Sequence, residues 1–382
     1  MNWSLRRKQP KRPLISDPYP PAGMPPTDKD STPFNASYIP ALDGFRAVSI
    51  AIVFFSHAGV SDLIPGGFGV TVFFFLSGFL ITTLLTREQD NHGRIALKAF
   101  YLRRVLRLSP PILITMVAAT ALVLAGLAEG DLSVATYLSQ LLFYYNYHLL
   151  MAESGSSVEG FGVLWSLSVE EHFYLIWPVV FISIARGWFG IKGVLLLLAA
   201  ILVWRYIRMT VFGNGEWVIY VSTDTRFDSL LYGCLLALLI WRGHAERLFP
   251  KRLAARALLI CTAFVILLIC FLVQNDTFRS TFRYSLQGIA LMPLFYYATQ
   301  RPGDMLFRPL NWAPLRMVGM WSYTIYLCHL VIIEALIHND ISQLGEPLLV
   351  GLSAVLSCGF AALVYRCAEK PLKPLRTRLT GH

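Results

Sequence analysis

Arg46 and His57 stand eleven positions apart in the apolar segment ALDGFRAVSIAIVFFSHAGV. At 100° per residue, eleven steps end about 20° past three full turns, so both share one helix face, roughly 16 Å apart along the axis. A guanidinium is a fork for phosphate, and a histidine with a near-neutral pKa is a proton acceptor. One face could therefore hold the two ends of a long phosphorylated donor. A snorkelling Arg and a hydrogen-bonded core His would give the same spacing. Other ionisable groups also interrupt apolar runs: Glu170 in VLWSLSVEEHFYLIWP, His329 and Tyr323 in WSYTIYLCHL, Arg226 and Asp228 in TDTRFDSLLYG, and Asp43 beside Arg46. Charges inside a hydrocarbon layer are costly and mark candidate sites by default. Counted along spans that cross a membrane, with the run of Glu170 starting at about 163, His57, Glu170 and His329 fall at similar depths in the outer half. A carboxylate beside a histidine fixes its tautomer and stabilises imidazolium, so Glu170 is the expected partner of His57. Structural ion pairs would leave a similar pattern.

A second cluster is basic. RIALKAFYLRRVLRLSPP carries Arg94, Lys98, Arg103, Arg104 and Arg107 just before a pair of prolines. It reads as an amphipathic helix at a membrane surface, either bound to lipid headgroups or clamping the phosphates of a donor.

These residues need elements that cross a membrane. The chain has 382 residues, of which 55% are hydrophobic and 15% charged; a soluble domain carries about 25% charged residues. A soluble enzyme, a disordered chain and a secreted disulfide scaffold are excluded. The six cysteines form no metal-like spacing and read as small core residues, so no metal site is expected. Eleven apolar blocks are visible, approximately 42–60, 66–86, 110–128, 132–150, 163–185, 191–211, 227–241, 257–273, 284–299, 315–338 and 347–365. Most are near the length that crosses a core about 30 Å thick.

Loop charge selects among topologies. If 132–150 lies on or dips into the outer surface without crossing, 27 of the 33 Lys and Arg fall on the inner side and five on the outer, with Arg46 inside the first span. If it crosses, every later loop inverts and the bias is lost. The expected architecture is all-α: a polytopic integral membrane protein of about ten transmembrane helices plus a non-crossing or re-entrant outer segment, with both termini cytoplasmic. Residues 1–38 hold eight of the 21 prolines and six bases, and form an expected disordered basic tail without a signal peptide. The membrane domain is expected over 39–371, with a short basic tail at 372–382. The outer segment 129–162 carries Glu129, Asp131, Glu153 and Glu159, no Lys or Arg, and the aromatics Phe143, Tyr144, Tyr145 and Tyr147. Such a surface suits a neutral hydroxyl-rich ligand, or an interfacial aromatic belt.

The motifs in their order resemble the acyltransferase 3 family, integral membrane enzymes that acylate bacterial surface glycans. The resemblance runs from about Ile39 to Pro371. IPALDGFRAVSIAIVFFSHAG is similar to the family's opening Arg-x10-His segment, GFGVTVFFFLSGFLI to its second span, FYLRRVLRLSP to its basic inner loop and WSLSVEEHFYLIWP to its acidic motif. DTRFDSLLYGCLLA, VGMWSYTIYLCH and AEKPL resemble later segments. Thr71 departs from the pattern, standing where many members carry an acid. The chain ends about 15 residues after its last apolar block, so the esterase-like domain that some members append is not expected.

The resemblance implies transfer of an acyl group, commonly acetyl, from cytosolic acyl-coenzyme A to a hydroxyl of an extracytoplasmic polysaccharide or lipid-linked glycan, in the bacterial inner membrane. O-antigen, exopolysaccharide, peptidoglycan, a lipochitooligosaccharide and a small molecule are all candidate acceptors, and succinyl or a longer acyl chain is an alternative to acetyl. His57 then matches the essential His, as general base or transient acyl carrier, with Glu170 as its catalytic carboxylate. Arg46, Arg103 and Arg104 match coenzyme A contacts. Asp43, Arg226, Asp228, Tyr323 and His329 are expected in acceptor or supporting roles. Membrane lipids and polysaccharide-assembly proteins are the other expected partners, and nucleic acid is not. The rival reading is a transporter or flippase, since polar groups at mid-depth also mark solute paths; it predicts internal repeats, and none is visible.

Overall fold

The computed structural model describes residues 38–60, 65–151 and 160–378. The expected tail over 1–37, the acids Glu153 and Glu159, and residues 379–382 lie outside them. Among the described residues the elements are helical throughout. In chain order they are α1 (Pro40–His57), α2 (Gly66–His92), α3 (Leu97–Leu124), α4 (Val134–Leu141), α5 (Tyr145–Met151), α6 (Trp165–Ala185), α7 (Ile191–Thr210), α8 (Glu216–Val221), α9 (Thr223–Trp241), α10 (Ala245–Leu248), α11 (Leu253–Leu272), α12 (Arg283–Gln300), α13 (Ala313–His338), α14 (Glu346–Val364) and α15 (Lys370–Arg378).

Seven of them are long and apolar enough to cross a membrane: α2, α3, α6, α7, α11, α13 and α14. Ten were expected. The other three, α1, α9 and α12, are 18 or 19 residues long. They carry buried polar groups, among them Asp43, Arg226, Asp228 and Gln287, so they are less apolar than the seven although each is visible as an apolar block. The segment 132–150 behaves as the charge count required. It breaks into α4 and α5 of eight and seven residues, about 10–12 Å each, which is too short to cross. The break falls at Phe143, with φ of 56°. Asp131 and Ser133 set the start of α4: the Ser133 hydroxyl accepts from the amide of Thr136, while the Asp131 carboxylate accepts from the hydroxyls of Ser133 and Thr136. Those bonds hold the Asp131 carboxyl below its ordinary range.

One expectation needs correction. The basic segment 97–107 is not a separate surface helix ahead of a proline-initiated span; it runs unbroken through Pro110 and Pro111 as α3. The prolines remove the amide donors for the carbonyls of Leu106 and Arg107, yet neighbouring helices keep the turn in place. Tyr323 of α13 donates its hydroxyl to the Leu108 carbonyl at 3.1 Å. Tyr323→Phe is therefore expected to lower stability by about 1 kcal/mol without abolishing activity, measured as the unfolding midpoint in a mild detergent.

The centre is built by close backbone approach. A Cβ on Gly78 of α2 would lie 1.9 Å from the Leu230 carbonyl, and one on Gly233 of α9 would lie 2.0 Å from the Phe75 carbonyl. Small residues on both sides let α2 and α9 meet along their length, as apolar helices do where lipid supplies no hydrophobic drive. Around this pair lie α1, α6, α12 and α13, while α3, α7, α11 and α14 turn most of their surface outward. Gly319 of α13 approaches α1 in the same way, its Cβ position 1.9 Å from the Asp43 carbonyl. That contact sets α13 against α1, and with it the two histidines.

Candidate active site

His57 ends α1, and its Nδ1 lies 2.8 Å from Nε2 of His329 in α13, with the rings nearly parallel at 15°. The other nitrogen of His329, Nδ1, faces the carbonyls of Ile325 and Tyr326 at 3.0 and 2.9 Å. Carbonyl oxygens only accept, so His329 Nδ1 carries the proton and Nε2 offers a lone pair. His57 must then donate from Nδ1. Its Nε2 is left as the free base, and His57 itself is exposed whereas His329 is fully buried. The backbone of α13 thus sets the tautomer of His57 through His329. Glu170 was expected in that position, with His329 at a similar depth in an acceptor or supporting role. Sequence spacing could not pair residues 272 positions apart.

Glu170 lies elsewhere. It accepts from the Ser77 hydroxyl of α2 at 2.8 Å. The start of α2 adjoins His57, since Gly66 N donates to Ser56 Oγ, and Ser77 follows eleven residues later, about 16 Å along the axis. The expectation that Glu170 shares the level of His57 and orients it is therefore not met. The physical reason is where α6 begins. Gly160 packs on the backbone of Val331, 2.3 Å from a Cβ position, seven residues short of the end of α13. From Gly160 the chain makes a short tight turn over Phe161–Leu164 before α6 starts. Counting the span from 163 at the membrane surface placed Glu170 too near the outside.

Charged pairs join α3 to both α6 and α2, the first of them beside Glu170. Arg104 of α3 pairs with Glu171 at 3.2 Å and lies 3.3 Å over the Tyr174 ring. Arg103 pairs with Glu88 of α2 at 3.2 Å. At the far end of α1, Arg46 bonds Asp43 at 2.7 Å, and Tyr38 donates to the other oxygen of that carboxylate at 2.8 Å. Arg46 and His57 thus stand on one helix, as their spacing predicts. Tyr326 lies between the two centres, its ring 5.8 Å from that of His329 and its hydroxyl 2.7 Å from Ser166.

Asp228 and Arg226 are two residues apart and do different things. Asp228 makes a fully buried ion pair with Arg205 of α7 at 2.9 Å and accepts from Ser285 of α12, tying three helices together. Arg226 is equally buried, donates to the hydroxyl of Thr71 at 3.2 Å, and stacks 4.0 Å from the Tyr284 ring centroid. Sequence reasoning missed His172, whose Nδ1 lies 2.9 Å from Thr223 Oγ1 and whose ring stacks near Tyr147. Its place beside the two acids of the WSLSVEEHFYLIWP motif was the available signal. All six cysteines are free, and no cluster of potential metal ligands is gathered among the described residues.

A family profile described as an acyltransferase domain matches residues 39–366. The chain belongs to the acyltransferase 3 family. It is similar to the peptidoglycan O-acetyltransferase OatA of Listeria monocytogenes, 29% identical over 90% of this chain and 57% of that one. A Bacillus subtilis protein provisionally named as the peptidoglycan O-acetyltransferase YrhL is 31% identical over 88% of this chain and 55% of its own. A Staphylococcus aureus protein provisionally named as an O-acetyltransferase is 28% identical over 88% and 57%. The chain spans a little over half the length of these relatives. No solved structure matches it. The matched domain, together with seven helices long and apolar enough to cross a membrane, makes it a multi-pass membrane protein of that family.

Proposed function

We propose that this acyltransferase moves an acetyl group from coenzyme A, held at the cytosolic face, to a hydroxyl of an extracytoplasmic glycan. The observation that carries the reading is the chain of bonds from the α13 carbonyls through His329 to His57, which leaves His57 Nε2 as an exposed base. His57 Nε2 takes the acceptor proton as the acceptor oxygen attacks the thioester carbonyl. The C–S bond then breaks, the new ester is released, and the departing thiolate recovers the proton from His57. The thioester reaches His57 from the basic end, where Arg46 and Arg103 hold phosphates. Glu170, with Ser77 and Arg104, flanks the passage of the pantetheine arm about 16 Å from His57. The excess of 27 Lys and Arg over five favours cytoplasmic termini and a donor entering from that side. The relatives' names favour a peptidoglycan acceptor; O-antigen and exopolysaccharide have no such support.

Inside-out vesicles supplied with acetyl-labelled coenzyme A and containing peptidoglycan precursor test the reading. Label on the lumenal glycan is expected. Absence of both transfer and coenzyme A binding would overturn it. In the same assay Arg103→Glu is expected to raise the apparent KM for the donor about 10-fold with kcat little changed. An unchanged KM would assign Arg103 to lipid headgroups.

A further inference from the structure

Arg226 is a fully buried cation without its own counter-ion. Among the described residues no carboxylate lies within 4 Å of it. Asp228 is committed to Arg205 through Oδ2, and its Oδ1 has no hydrogen-bond partner, so it does not close on Arg226. Nε of Arg226 is likewise without a partner. Its guanidinium is walled by Tyr284, Tyr220, Phe74 and Trp165, with centroids 4.0 to 5.7 Å away. Beyond the two tyrosines lies a cleft with about 230 Å³ of empty volume, lined by Gly67, Tyr220, Tyr284, Arg283 and Gln287 among others. Arg283 shares the single carboxylate of Glu216 with Arg279. Two separate groups, Arg205–Arg226–Asp228 and Arg279–Arg283–Glu216, therefore each keep one positive charge in excess. Gln287 is buried, and its side-chain oxygen has no partner; turned about, the same amide presents N–H donors. A buried cation is costly unless it is paired.

We propose that this cleft binds the anionic group, a carboxylate or a phosphate, of the acceptor. Arg283, Gln287 and the tyrosine hydroxyls would make direct contacts, and Arg226 would supply charge from behind the rings. The position suits a substrate of His57: Gly67 and Pro65 of the cleft flank Gly66, which bonds Ser56, the neighbour of His57. Over the whole cleft only about 20 Å³ is open to the centre of a water-sized sphere, roughly one small polar group's worth, so the sugar itself must lie outside. The inference rests on the acyltransfer reading for its acceptor, but its test does not depend on turnover.

Binding is measured on the full chain in neutral detergent by quenching of tryptophan fluorescence; Trp165 and Trp217 lie 4.5 and 5.9 Å from the Tyr220 ring. The probes are tetra-N-acetylglucosamine, its 1-phosphate, and a tetrasaccharide alternating N-acetylglucosamine with N-acetylmuramic acid bearing free carboxylates. The wild type is expected to bind at least one charged probe about 10-fold more tightly than the neutral one. Preference for the phosphate points to the glycan's lipid carrier, and preference for the carboxylate to the sugar. Arg226→Gln should abolish the preference. Thr71→Asp should do the same by giving Arg226 an internal counter-ion, in a variant whose buried charge is balanced and which need not lose stability. His57→Ala should retain it. Equal affinity for all three probes, or a preference that survives both Arg226→Gln and Thr71→Asp, overturns the inference. A preserved preference without acetyl transfer would instead count against the acyltransfer reading alone.

Discussion

Replacing His57 by alanine is expected to reduce acetyl transfer by about 10²- to 10⁴-fold, the usual contribution of a positioned general base. The loss should fall on kcat, because the phosphate contacts proposed for coenzyme A lie at the opposite end of α1, so donor binding should survive. Vesicles carrying the variant should therefore bind labelled acetyl-coenzyme A and leave the glycan unlabelled. His57→Gln should be equally inactive, since an amide hydrogen-bonds but does not take a proton at neutral pH. Transfer at the wild-type rate by either variant would remove His57 from the chemistry. The same experiment without acceptor separates two routes. Direct transfer leaves the wild-type protein unlabelled, whereas label retained on the protein and lost in His57→Ala would show a transient acyl-histidine.

The second large effect is expected at His329. It touches neither donor nor acceptor in this scheme and acts as a positioning residue through one bond to His57. When His57 holds the acceptor's proton that bond becomes charge-assisted, worth roughly 1.5–3 kcal/mol, so its loss should lower kcat about 10- to 100-fold with KM for the donor unchanged. His329→Phe keeps a flat ring in the buried position and removes the acceptor atom; it should show the full loss. His329→Gln offers an amide oxygen to His57 Nδ1 and should recover much of the rate. A merely structural role predicts the reverse order, because phenylalanine suits an apolar interior better than glutamine. Full activity in His329→Phe, or equal impairment of both variants, would sink the assignment.

The residues of greatest consequence were legible as types long before they were legible as partners. The Arg46–His57 spacing fixed a common helix because both belong to α1, where 3.6-residue periodicity is sufficient information. Apolar blocks marked each of the long helices, most within a few residues though not the basic start of α3, since crossing a hydrocarbon layer forces internal backbone hydrogen bonding and an apolar run of definite length. The charge asymmetry correctly withheld crossing status from 132–150, a short pair of helices broken at Phe143. Family membership was also readable, because its motifs occur in order along the chain.

Tertiary structure alone decided which ionisable groups meet. Depth along a span is countable only if the span starts at the membrane surface, and α6 does not: its approach through Gly160 and the turn over Phe161–Leu164 lowers Glu170 toward Ser77 and Arg104 and away from His57. His329 took the place beside His57 because Gly319 allows α13 to lie against α1. Similarly, Asp228 and Arg226 are near neighbours in sequence, yet one faces Arg205 and the other an aromatic wall. Local sequence specifies a helix and its faces through short-range periodicity and hydrogen bonding. Which face meets which partner depends on helix packing between residues tens to hundreds of positions apart, and no pattern within one span contains it.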